Sequence, residues 1–78
     1  MLNKALEDAS EVSRREYLMI RAINNQFVER NFEEALADYR LISELYPDAA
    51  APYNNSGRIL GSQGRYEEAV RMYERAPR

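Results

Sequence analysis

Residues 31–40 of this 78-residue chain are written again, with small changes, at residues 65–74. The first stretch reads NFEEALADYR and the second RYEEAVRMYE. Phe32 pairs with Tyr66, Glu33 and Glu34 with Glu67 and Glu68, Ala35 with Ala69, Leu36 with Val70, and Tyr39 with Tyr73, always 34 residues apart. A period of roughly 20 to 50 residues marks a stack of repeated supersecondary units, and a period near 34 fits a helix–turn–helix unit. Such stacks present extended surfaces to partners.

The spacing of apolar residues within each copy is helical. Phe32, Ala35, Leu36, Tyr39, Ile42 and Leu45 recur at steps of three and four, which places them on one stripe of a helix. Glu33 and Glu34 fall in its first turn, where the helix dipole favours anions, and Pro47 ends it. The second copy repeats the pattern through Tyr66, Ala69, Val70 and Tyr73, and Pro77 stops it. Between the copies, Asp48 is expected to cap a helix that runs to about Gln63, with Pro52 in its first turn. Gly57 and Gly61 lie four apart and predict the close approach of another helix, while Gly64 supplies the next turn. Upstream, Ser13 and Glu16 match a capping box, with Val12 and Tyr17 at the ends of a hydrophobic staple. A helix is therefore expected from about Arg14 to near Glu29, with apolar positions Tyr17, Met19, Ile20, Ala22, Ile23, Phe27 and Val28. Arg30 and Asn31 form a short turn. Leu2, Ala5, Leu6 and Ala9 mark a separate short helix over residues 1–12.

The period, the helix pairs and the proline after the second helix resemble the tetratricopeptide repeat family. The match is most specific over residues 50–76. There Tyr53 takes the aromatic place, and Gly57, Leu60, Gly64, Tyr66, Ala69, Tyr73 and Ala76 take other preferred places. Pro47 takes the place of the preceding repeat's helix-ending proline. Over residues 16–49 Met19 replaces the aromatic, Ile23 the first glycine and Arg30 the second, while Ala35, Tyr39 and Pro47 hold. The resemblance implies an all-α fold of tandem antiparallel helix pairs, an α-solenoid with a right-handed superhelical path. It divides the chain into a short helix at 1–12 from a preceding repeat, a first repeat at 13–49 and a truncated second repeat at 50–78. It further suggests a fragment of a longer bacterial array of the kind found as repeat tails on signalling proteins.

Composition excludes several chemistries. The chain has no Cys and no His, so it lacks disulfides, thiolate metal sites and a histidine general base. Ser10, Ser13, Ser43, Ser56 and Ser62 have no histidine to activate them. The doublets Glu33–Glu34 and Glu67–Glu68 sit at first turns, and neighbours in sequence point about 100° apart on a helix, so they do not form an opposed acid pair. Gly57, Gly61 and Gly64 are not followed by the Lys-Ser or Lys-Thr of a phosphate loop. No catalytic residue, cofactor or metal ligand is expected. No apolar run approaches the length of a membrane span, and the N-terminus lacks a secretory pattern; these fit a cytoplasmic protein. Residues 1–49 hold 6 basic and 10 acidic residues, a balance of −4, and residues 50–78 hold 5 against 3, a balance of +2. Binding nucleic acid through Arg58, Arg65, Arg71, Arg75 and Arg78 would call for a stronger basic excess.

Binding of a protein or peptide is the remaining function. In the family, the first helices of successive repeats line a concave groove. Carried onto this sequence, that places Tyr17, Ile20, Asn24, Phe27 and Val28 from the first repeat beside Asn54, Asn55, Arg58 and Ser62 from the second. One subfamily clamps chaperone C-terminal carboxylates with Lys, Asn, Asn, Lys and Arg. Asn24 and Asn55 match its two Asn places, but Ile20 stands at the first Lys and the third repeat is absent. The rival expectation is self-association through Val70, Met72 and Tyr73, left partly exposed on the last helix.

Overall fold

A computed structural model describes the backbone of residues 2–77 and the side chains of residues 13–77. Its elements run α1 (Leu2–Ile23), a π-helical turn (Asn24–Val28), α2 (Phe32–Leu45), α3 (Ala51–Ser62) and α4 (Tyr66–Arg75), with no strand among the described residues. Each helix packs on the next in chain order: α1 on α2, α2 on α3, α3 on α4. The backbone fills 50 × 28 × 14 Å. Two packed helices, with Cα atoms about 2.3 Å from axes that lie roughly 8–10 Å apart, span about 14 Å, so the stack is two helices thick and each helix keeps an exposed face.

The core lies where α1, α2 and α3 meet. Leu18 and Ala22 of α1, Ala35, Tyr39 and Ile42 of α2, and Ile59 of α3 form one buried cluster. Met19, Phe32, Leu36 and Tyr46 pack against its edge. Burying a side chain the size of Ile42 or Ile59 is worth about 1.5–3 kcal/mol. The stripe expected on α2 is seated as its period requires, except that Leu45 at its end is exposed.

Local signals explain most helix ends. Asn31 caps α2, its Oδ1 accepting from the Glu34 backbone N–H at 3.4 Å, and Glu33 and Glu34 occupy the first turn. Tyr46 closes α2 through a backbone bond to the Ile42 carbonyl, directly before Pro47. Gly64 takes a left-handed φ of +79° in the turn before α4. Thirty-four residues earlier Arg30 adopts the same hand, with φ +56°. A side chain there is strained, and the Arg30 guanidinium lies 5.5 Å from the centroid of the Phe32 ring, an attraction that offsets part of that strain.

Four expectations are corrected. The separate helix over residues 1–12 and a new start at Arg14 are replaced by one helix, α1, that runs unbroken through the expected junction. A capping box works only where a helix begins, and no Gly or Pro between Leu2 and Ile23 forces a beginning there. The Val12 half of the expected staple lies outside the described side chains. Asp48 does not cap α3: the N-cap is Ala50, without a side-chain bond, and Asp48 instead lies 4.0 Å from Arg15. Gly61 faces open space and meets no helix, whereas Gly57 is tightly approached. The helix expected to reach Glu29 in α geometry widens into the π-turn, where the Glu29 N–H bonds the Asn24 carbonyl.

Candidate interaction surfaces

The face turned to α2 carries Leu18 and Ala22 of α1 and Gln26 of the π-turn, all buried. Met19 packs against the core edge, and most of the other apolar residues point elsewhere. Tyr17 is 63% exposed, Ile20 66%, Phe27 59% and Val28 70%. Tyr17, Ile20, Asn24 and Phe27 follow one another at steps of three, four and three, so they share a strip on the solvent side. On α3, Asn54, Arg58 and Ser62 are exposed and Asn55 is half-buried. No extensive backbone contact joins α1 to α3 among the described residues, since both pack on α2. The expected groove thus consists of two solvent-facing strips, and no hydrogen bond or ion pair links one strip directly to the other among the described residues.

Between and beneath those strips runs a buried polar seam that the sequence did not announce. Asp38 of α2 is nearly inaccessible. Asn25 Nδ2 donates to its Oδ2 at 2.8 Å, and Arg21 Nε lies 3.4 Å from its Oδ1. Beside it, the Tyr39 hydroxyl donates to Gln26 Oε1 at 2.6 Å. Burial pushes the Tyr39 hydroxyl above its ordinary pKa; the neighbouring Asn55 side chain pulls it down, and the Asp38 charge adds to the rise. Tyr39 is thus the point where the π-turn, α2 and α3 meet. Asn55, expected in the groove, is half-buried and lies near the Tyr39 hydroxyl.

The π-turn belongs to the same device. One extra residue per turn lets consecutive Asn25 and Gln26 both reach α2, one to Asp38 and the other to Tyr39. No pattern in residues 24–28 signals this, because the cause is a pair of partners on another helix. The signal available was polar: Asp38 interrupts the apolar stripe of α2 beside Tyr39.

A second concavity lies on the other side of α3. A cleft of about 560 Å³ opens between α2 and α4, with α3 as its floor. A helix turns about 100° per residue. Pro52, Tyr53, Ser56 and Leu60, which line the cleft, therefore fall opposite Asn54, Asn55, Arg58 and Ser62. None of the groove candidates lines it. On α4, Tyr66, Val70 and Tyr73 are exposed by 69%, 52% and 46%, and Met72 is half-buried. No described helix is long and apolar enough to cross a membrane.

Paired helices joined by short turns, with a 34-residue echo and solvent-facing strips on the first helix of each pair, define a tandem helix-pair repeat of the solenoid class. A family model described as tetratricopeptide repeat matches residues 29–76, 48 of the 78 residues. The chain belongs to the tetratricopeptide repeat family. No curated protein and no solved structure gave a significant match. Repeats of this family generally mediate protein–protein interaction and are typically non-enzymatic.

Proposed function

We propose that this chain is a non-enzymatic interaction module whose first helices receive a peptide or helix from another protein. What carries the reading is the exposure of Tyr17, Ile20 and Phe27 along one strip of α1 and the π-turn that continues it. Three large apolar side chains left in water on one side of a helix already seated by its other side favour a partner. Asn24 on the same strip and Asn54, Arg58 and Ser62 on α3 offer amide, guanidinium and hydroxyl groups to a peptide backbone or carboxylate. The test is selection of peptides from a displayed library against the chain, followed by Ile20→Glu with Arg58→Glu. Selected peptides should lose binding while the helical circular dichroism stays unchanged. Peptides that bind the double variant as well as the parent remove the groove.

A second reading is self-association, and the exposed row Tyr66, Val70 and Tyr73 favours it. The equivalent row on α2, Phe32, Leu36 and Tyr39, is partly or wholly covered. Sedimentation equilibrium over a wide concentration range decides the matter. A monomer throughout rules this reading out.

A further inference from the structure

We propose that the cleft between α2 and α4 is a separate docking site for an acidic peptide segment with one apolar anchor. The floor is largely apolar through Pro52 and Leu60, and Leu36 and Met72 add one apolar side chain on each wall. The rim is arginine-rich, with Arg40, Arg65, Arg71 and Arg75 against two carboxylates, Glu44 and Glu68. Both carboxylates are already engaged, Glu44 by Arg40 at 3.4 Å and Glu68 by Arg65 at 2.6 Å. Arg71 and Arg75 have no ion pair or hydrogen bond among the described residues. They stand four apart on α4, so both cations face the same side. Two unmatched like charges on one helix face repel each other slightly, by a few tenths of a kcal/mol. Carboxylates placed between them reverse that term and form charge-assisted bonds.

The site differs from the groove in position and in chemistry. The groove strips are mixed amide and apolar surfaces on the far side of α3, whereas the cleft pairs an apolar floor with an excess of two guanidinium groups. It therefore selects for ligand charge, and the segment that fits carries carboxylates on both sides of a side chain such as Leu. The chain offers two faces to different partners, or to two parts of one partner.

Fluorescence anisotropy with a labelled Glu-Glu-Leu-Glu-Glu peptide tests this, beside the same peptide with Gln for every Glu. The Glu peptide should bind, shift the amide resonances of α2 and α4, and bind roughly tenfold more tightly than the Gln peptide. Arg71→Gln with Arg75→Gln should weaken it about tenfold. Arg30→Gln, which removes a charge away from the cleft, should leave it unchanged. Each of four results overturns the proposal: no binding at millimolar peptide, equal binding of the Gln peptide, undiminished binding by the double variant, or equal loss in Arg30→Gln. Tighter binding of a single-stranded oligonucleotide overturns it in favour of nucleic acid. Peptide that binds only by dissociating a dimer overturns it in favour of a second copy. None of these outcomes touches Tyr17, Ile20 or Arg58, so the groove stands or falls separately.

Discussion

The two helix pairs share a sequence rhythm and differ in how they are fastened. In the first, α2 meets α1 and the π-turn through polar groups: Asp38 with Asn25 and Arg21, Tyr39 with Gln26. In the second, the positions 34 residues on hold Met72, Ile59 and Leu60, all apolar, with Asn55 in place of Arg21 and Tyr73 in place of Tyr39. Tyr73 lays its ring over Gly57, where an added Cβ would come within 2.7 Å of it. Its hydroxyl has no hydrogen bond among the described residues. Tyr39 is wholly buried between neighbours on both sides, and Tyr73 is half in water. One residue type at one repeat position therefore holds two different jobs. Burial comes from stacking: α2 is covered by α1 on one side and α3 on the other, and α4 by α3 alone among the described elements.

The largest expected effect follows from that difference. Tyr39→Ala should cost about 3–5 kcal/mol, the range for removing a large buried aromatic. In a domain this small such a loss is close to the whole stability. Tyr73→Ala should cost well under half as much, because half of its surface is already wet. Urea unfolding followed by circular dichroism compares them; equal costs would erase the distinction between the two pairs.

The polar seam gives the next effect. Asp38→Met, which copies the second pair's residue into the first, should cost about 1–3 kcal/mol by leaving the Asn25 amide without its acceptor. Adding Asn25→Ile, again copied from the second pair, should recover most of the loss, since apolar groups of similar volume replace a buried polar pair at little cost. A double-mutant cycle reads the coupling directly. A purely additive result means that the Asp38–Asn25 bond contributes nothing of its own.

Much of this was legible before the structure. The 34-residue echo gave the helix pairs, and the apolar stripes placed Ala35, Tyr39, Ile42 and Ala69 in the core. Only half of the glycine signal holds. Gly57 and Gly61 look alike in sequence, yet only Gly57 has a neighbour, because the Tyr73 ring lies over one position and not the other. Leu18 is not among the apolar positions expected of α1, yet it seats that helix while Tyr17 and Ile20 face water. Three adjacent apolar residues, Leu18, Met19 and Ile20, blur the period there, and only α2 decides which of them is inside. The nearness of Asn55 to Tyr39 was not legible, because Tyr39 comes from another helix.

The smallest effect concerns the two left-handed turns. Gly64→Ala should cost about 1 kcal/mol, since its φ of +79° disfavours any Cβ. Arg30→Gly should stabilise by roughly 0.5–1 kcal/mol, less whatever the Arg30–Phe32 stacking contributes. Thermal unfolding of the two variants side by side shows both signs. A destabilised Arg30→Gly would mean that the stacking outweighs the strain.

Native-state amide hydrogen exchange, resolved residue by residue across the four helices, tests the inequality of the two pairs most directly. Amides of α2 around Asp38, Tyr39 and Ile42, covered from both sides, should exchange slowest and only through global unfolding. Amides of α4 around Val70 and Tyr73 should exchange faster, through local opening that leaves α2 intact. Protection of α4 equal to that of α2 would contradict it, and the two copies of the sequence would then be equals in stability as well.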